Sequence, residues 1–361
     1  MKRIIVSVTN DLTTDQRVSK VCNSLVKMGF DVLLVGRKLT NSKPINRPYK
    51  TKRISLLFNK GFFFYAEYNL RLFFYLLFVK KSILLSNDLD TLLPNYLVAR
   101  LQHKKVVFDS HELFSEIPEL QHRSFVKRCW KLLESFLLPK INLGYTVSNS
   151  IANFYKEKYR VSFHVIKNYP VLKEIRKSKF SFPTYNNKII LYQGALNIGR
   201  GIELMIDTMP LLENCLLVLI GDGDVKNELN EKVHKLQLQD KIKFLDKKVP
   251  NELHHLTPLA DVGLSLEEDM GLNYRYALPN KLFDYTHAKI PCVVSNLVEM
   301  KHYVVQNSVG EILSERTPKQ LAQILETVFK SDYNKALTTA KEKHRWQTEE
   351  AKLSLLFKQL M

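Results

Sequence analysis

The apolar positions fall into the same order twice along the chain. Residues 2–8 form a β-branched run that predicts a strand, 9–14 a polar turn, the positions to about 28 an amphipathic helix, and 31–36 a second strand. The same order of strand, turn, helix and strand returns at 188–192, at 194–201, through Leu204 and Met209, and at 215–221. Further apolar runs at 106–108, 144–147, 242–245, 261–266 and 292–294 read as strands buried on both faces, as parallel sheets require. The expected fold is therefore α/β, two Rossmann-like doubly wound domains facing a cleft, with ligands at the carboxyl ends of the strands. The expected boundaries are 1–170 for the first domain, 171–187 for a basic, weakly periodic linker containing Pro183, and 188–338 for the second domain. Residues 339–361 read as one amphipathic terminal helix, able to cross back to the first domain.

A chain of 361 residues, 45% hydrophobic with 12 glycines, can build two packed cores and is unlike a disordered or fibrous protein. Its four cysteines stand far apart, without the paired spacing of zinc or redox sites, which fits a reduced cytoplasmic compartment. Asn10 and Asp11 stop the first apolar run before a signal-peptide core forms. Glu67, Arg71, Lys80 and Lys81 break the aromatic stretch 62–85 short of a spanning length.

The net charge of +18 is one-sided. Residues 1–180 hold 32 Lys and Arg against 13 Asp and Glu, whereas 181–361 hold 22 against 23. Aromatic residues interleaved with the basic ones favour an anionic membrane surface as partner, and hence a peripheral place on the inner membrane face. A core helix with solvated lysines at its end is the competing account. Nucleic acid is not expected, because no recognition module accompanies the charge.

Candidate chemistry concentrates in the second half. In 278–285 (LPNKLFDY) Pro279 predicts a helix start, so Asn280 and Lys281 fall where unpaired backbone donors point outward, an anion site. Lys281 and Asp284 are three residues apart on one face, a cation for a phosphate beside a carboxylate for a sugar hydroxyl. The turn 194–201 (GALNIGRG) lies between strand and helix. Its glycines permit close backbone approach and Arg200 can pair with a diphosphate, but the spacing is not that of a dinucleotide fingerprint and no Walker lysine is present.

Taken together, these two segments resemble glycosyltransferase family 4, retaining sugar-nucleotide enzymes of the GT-B fold. Residues 279–285 resemble the variant of bacterial surface-polysaccharide transferases. The resemblance implies that Gly194, Arg200, Asn280 and Lys281 hold the donor diphosphate and Asp284 the donor ribose. One family cation is replaced by Ala195, and the first glutamate of the family's pair falls on Tyr276. Glu267, Glu268 and Asp269 are substitutes for it, of which Glu268 is taken as the catalytic candidate; an acidic turn that caps an element is the plainer account. His111, in the loop after the strand at 106–108, is implied to orient the donor sugar through hydrogen bonds. Asp15 and Arg17 replace the family's first-turn glycines and are candidates for binding the acceptor, against a capped, solvated helix start. The turn 87–90 (NDLD) is another strand end, with no role assigned.

The resemblance thus implies transfer of a sugar from a nucleotide diphosphate to a lipid-linked or growing glycan, with retention. A sugar-nucleotide epimerase of the same fold and a non-catalytic degenerate transferase are the alternatives. No cofactor and no metal are expected, since the histidines are scattered and adjacent His254 and His255 diverge.

Overall fold

The computed structural model describes residues 1–13, 15–120, 123–172, 174, 182 and 187–360. It divides into two compact units, Met1–Asn168 with Thr348–Met361, and Tyr169–Gln347. The expected linker 171–187 thus begins just inside the second unit, and most of it lies outside the described residues.

The first unit runs β1 (Arg3–Asp11), α1 (Gln16–Lys27), β2 (Asp31–Lys38), β3 (Lys50–Ser55), α2 (Gly61–Phe78), β4 (Ile83–Asn87), α3 (Leu92–Leu101), β5 (Lys105–Ser110), α4 (Ser124–Leu137), β6 (Gly144–Thr146), α5 (Asn149–Tyr159) and β7 (His164–Val165). Its parallel sheet has the order β3-β2-β1-β4-β5-β6-β7. The second unit runs β8 (Lys188–Gln193), α6 (Ile202–Thr208), β9 (Cys215–Ile220), α7 (Lys226–Lys235), β10 (Ile242–Leu245), α8 (Pro250–Leu256), β11 (Val262–Ser265), α9 (Leu272–Arg275), α10 (Asn280–Ala288), β12 (Cys292–Ser295), α11 (Val298–Asn307), β13 (Gly310–Leu313), α12 (Pro318–Lys330) and α13 (Asn334–Lys343). Its sheet is also parallel, in the order β10-β9-β8-β11-β12-β13. α14 (Trp346–Lys358) closes the chain and packs in the first unit, with Phe357 on Phe30 and Glu350 accepting from Ser24.

Both sheets are doubly wound Rossmann-like layers, as the continuous apolar runs imply. Every residue of β9 and of β12 is buried, because helices cover both faces. The strand order reverses between β1 and β4 in one sheet and between β8 and β11 in the other. Those two gaps are where loops diverge and ligands bind in such folds.

Three differences from expectation have local causes. β3 (KTKRIS) lies at a sheet edge, where lysines and arginine are tolerated and no apolar run marks the strand. The aromatic stretch 62–85 divides into α2 and the buried β4. The terminal helix expected over 339–361 is broken between α13 and α14. There the His344 carbonyl accepts from His287, the His344 ring meets Asn307, and the Trp346 N–H turns to the Pro170 carbonyl.

Candidate active site

In the second domain the switch point gathers a cationic turn around one buried carboxylate. β8 ends at Gln193 and the chain turns at Gly194, whose φ of 149° suits glycine. A Cβ there would lie 3.4 Å from Lys281 Cε and 3.3 Å from the Tyr192 hydroxyl. Lys281, in the first turn of α10, stacks its ammonium 4.1 Å from the Tyr192 ring centre and donates to Glu267 Oε1 at 2.8 Å. Arg200 reaches the same oxygen at 3.6 Å and lies over the Tyr274 ring. Gly201, at φ 72°, passes so close to the Leu266 carbonyl that a Cβ would be 2.1 Å from it, which holds the Arg200 turn against the β11 end.

Glu267 is fully buried, and its second oxygen accepts from Ser265 at 2.7 Å. Burial alone would raise its pKa; Lys281 and then Arg200 hold it below the usual glutamate value. The result is an ionised carboxylate that fixes two cations beside a glycine turn and a helix N-terminus, an arrangement suited to a diphosphate. Arg316 supports it from behind, donating to the Glu267 and Leu266 carbonyls and to Ser295 Oγ.

The two neighbouring glutamates have different partners. Glu268, with a side chain 44% exposed, lies 3.4 Å from Arg316, while Glu267 pairs with Lys281 and Arg200. Asp284 lies half-buried on α10 and accepts from Gln193 Nε2 at 3.0 Å, with Gln193 held in turn by Thr257. Asn280 is the exposed first residue of α10, and Pro279 stands one place earlier than expected, as the N-cap. Among the described residues, no group of three His, Cys, Asp or Glu could hold a metal.

In the first domain a second polar cluster occupies the corresponding gap. His111 follows β5; its N–H donates to Asp88 Oδ1 at 2.7 Å, and its ring meets Asp88 Oδ2 at 3.4 Å and Asp109 Oδ2 at 3.2 Å. Burial would lower its pKa, but Asp88 and then Asp109 raise it to about 10. Burial pushes the Asp88 carboxyl itself up to about 8, whereas Asp109 is held below the usual carboxylate value, so Asp109 is the counter-ion that favours the protonated His111 ring. Asp88 takes φ 56°, uncommon outside glycine, and thereby turns its carboxylate onto the loop after β5.

Arg17 and Asp15, the acceptor candidates, are both engaged within the first unit. Arg17 is 3% exposed, forks onto Asp109 with Nη2 at 2.7 Å, and donates from Nη1 to the Ile166 carbonyl. That geometry fixes Asp109, and through it His111. Asp15 is the N-cap of α1, accepting from Val18 N–H at 3.0 Å.

Two parallel doubly wound domains, each with a polar cluster at the strand-order reversal, form the fold of the GT-B glycosyltransferases. Residues 174–350 match the family described as glycosyl transferases group 1. Among solved structures, a sucrose-phosphate synthase of Thermosynechococcus elongatus superposes with a TM-score of 0.85 at 14% identity, over 100% of this chain and 99% of that one. Anabaena HepE in complex with UDP-glucose superposes with a TM-score of 0.74 at 13% identity, over 99% and 100%. A curated relative, chitobiosyldiphosphodolichol beta-mannosyltransferase of Candida albicans, is 22% identical over 63% of this chain and 55% of its own length. The matched stretches span about half the length of the curated relatives, 42% and 55%.

Proposed function

We propose that this protein transfers a sugar from a nucleoside diphosphate sugar to a lipid-linked or growing glycan acceptor, working peripherally at the inner membrane face. The observation that carries this reading is the pair of cations, Lys281 and Arg200, fixed on buried Glu267 beside the Gly194 turn within the stretch that matches glycosyl transferases group 1. The UDP-glucose bound by the Anabaena protein of the same fold, and the name of the Candida relative, support the donor class and the lipid-linked acceptor.

In the proposed reaction the bond from the anomeric carbon to the diphosphate oxygen breaks while the acceptor hydroxyl bonds to that carbon and gives its proton to the departing diphosphate oxygen. Negative charge grows on the leaving diphosphate. Lys281, Arg200 and the α10 N-terminus stabilise that charge, preorganised so that nothing reorients during the reaction. Asp284 accepts from the ribose. Retention at the anomeric carbon is inferred from the resemblance to family 4.

Product analysis tests the reading. Incubation with a nucleotide sugar and a lipid-linked acceptor should give a glycosylated acceptor and free nucleoside diphosphate. Conversion of the donor to its epimer without any acceptor would contradict it.

A further inference from the structure

Helix α2 is apolar on both sides. Its inner stripe, Phe64, Tyr68, Leu72 and Leu76, packs into the core of the first domain with Ile5, Leu84 and Val98. A helix facing water on its other side carries polar residues there. Instead the outer stripe, at the same four-residue spacing, is Phe62, Ala66, Leu70, Phe74 and Phe78, and all five are exposed, Phe62 by 76% and Phe78 by 86%. Phe63 is also exposed, with Phe58 of the preceding loop stacked 5.2 Å from it.

A second helix extends this surface. α4 presents Phe125, Cys129, Leu132 and Phe136 outward on one face, and meets α2 where Tyr65 packs edge-on to Trp130 at 5.2 Å.

We propose that the outer faces of α2 and α4 lie in the interfacial layer of an anionic lipid bilayer, the phenyl rings among the acyl chains and the basic residues at the headgroups. This deepens the membrane part of the reading above and does not depend on the donor chemistry. Charge selects this occupant. The first unit, 1–168 with 348–361, carries 30 Lys and Arg against 14 Asp and Glu. Lys60, Arg71, Lys80, Arg123, Arg128 and Lys140 are exposed on these two helices or at their ends.

The acids of both helices are turned inward or engaged. Glu67 accepts from the N–H groups of Leu57 and Phe58 and pairs with Arg71; Glu134 is buried against Ser115 and Tyr159. A second copy of the chain would bring the same basic face against itself, at an electrostatic cost. No described helix is long and apolar enough to cross a membrane, so the helices would lie along its plane.

The test is cosedimentation of the full chain with vesicles of phosphatidylcholine and phosphatidylglycerol at about two to one. The wild type should bind, and part of the binding should persist at high salt, because apolar insertion is not screened. Phe62→Ser/Phe74→Ser/Phe78→Ser should lower partitioning at least about tenfold while leaving the melting temperature in place. Arg128→Glu/Lys140→Glu should abolish the preference for these vesicles over pure phosphatidylcholine. Should the triple variant fold poorly, Phe62→Ser/Phe78→Ser at the helix ends gives the same readout. Wild-type protein that stays in the supernatant, or serine variants that bind as well as wild type, would overturn the proposal. So would a dimer in sedimentation that the serine variants dissolve while no vesicle binds. UDP binding measured on the same preparations reports on the donor reading separately.

Discussion

Glu267 decides whether the cations of the second domain are a site or a surface accident. It is fully buried and shared by Lys281 and Arg200, and these two cations offset the cost of burying its charge. Lys281→Met should therefore destabilise the domain, by up to about 3–5 kcal/mol less whatever Arg200 compensates. Adding Glu267→Gln should restore much of that loss, as read by urea denaturation, without restoring nucleotide binding. A double variant no more stable than the single one would show that Glu267 is not the counter-ion.

His111 offers a second residue-scale test through pH. Its folded pKa is raised from 6.5 to about 10 by Asp88 and Asp109 against the effect of burial. A raised value means that its pairing with Asp109, which stays ionised, contributes fully below about 6.5 and is lost as pH climbs through about 10; Asp88, itself pushed up to about 8, is mostly protonated in the acidic part of that window. The melting-temperature gap between wild type and His111→Asn should be widest in mildly acidic buffer and narrow toward pH 10. A gap that widened with pH would contradict the assignment. Sequence placed His111, Lys281 and Arg200 at strand ends but could not phase Glu267 against Glu268, since consecutive residues of an extended segment point to opposite sides. Nor did it reveal Asp88, whose role depends on a positive φ that its neighbours do not announce.

At the scale of elements, α2 separates packing from exposure within one helix. Leu72 is fully buried and Phe74 is 52% exposed, two residues further on. Leu72→Ala should cost about 2–5 kcal/mol of stability, whereas Phe74→Ala should stay within about 0.5 kcal/mol. Equal losses in chemical denaturation would mean that the outer stripe is packed and is no docking face. The sequence showed an aromatic stretch with basic interruptions, yet its periodicity was mute because both stripes are apolar. The edge strand β3 was illegible for the opposite reason, being polar at every position but the buried Ile54. The break before α14 depends on His287, Asn307 and Pro170, partners too distant in sequence to be read from a local pattern.

Across the whole molecule, the two-domain plan was the most legible property, because parallel strands covered on both sides leave long apolar runs between turn residues. The return of α14 to the first domain rests on contacts such as Phe357 with Phe30, and Phe357→Ala should cost about 3–5 kcal/mol there while leaving nucleotide binding by the second domain intact. The central claim is that the second domain holds a nucleoside diphosphate sugar through Arg200, Lys281 and the start of α10. Titration calorimetry with UDP, GDP and their glucose and mannose conjugates measures this directly. The wild type should bind at least one of them, and Arg200→Ala and Lys281→Ala, still folded by circular dichroism, should each bind it about tenfold or more weakly. Wild-type affinity in both variants, or no binding of any nucleoside diphosphate by the native protein, would contradict the account.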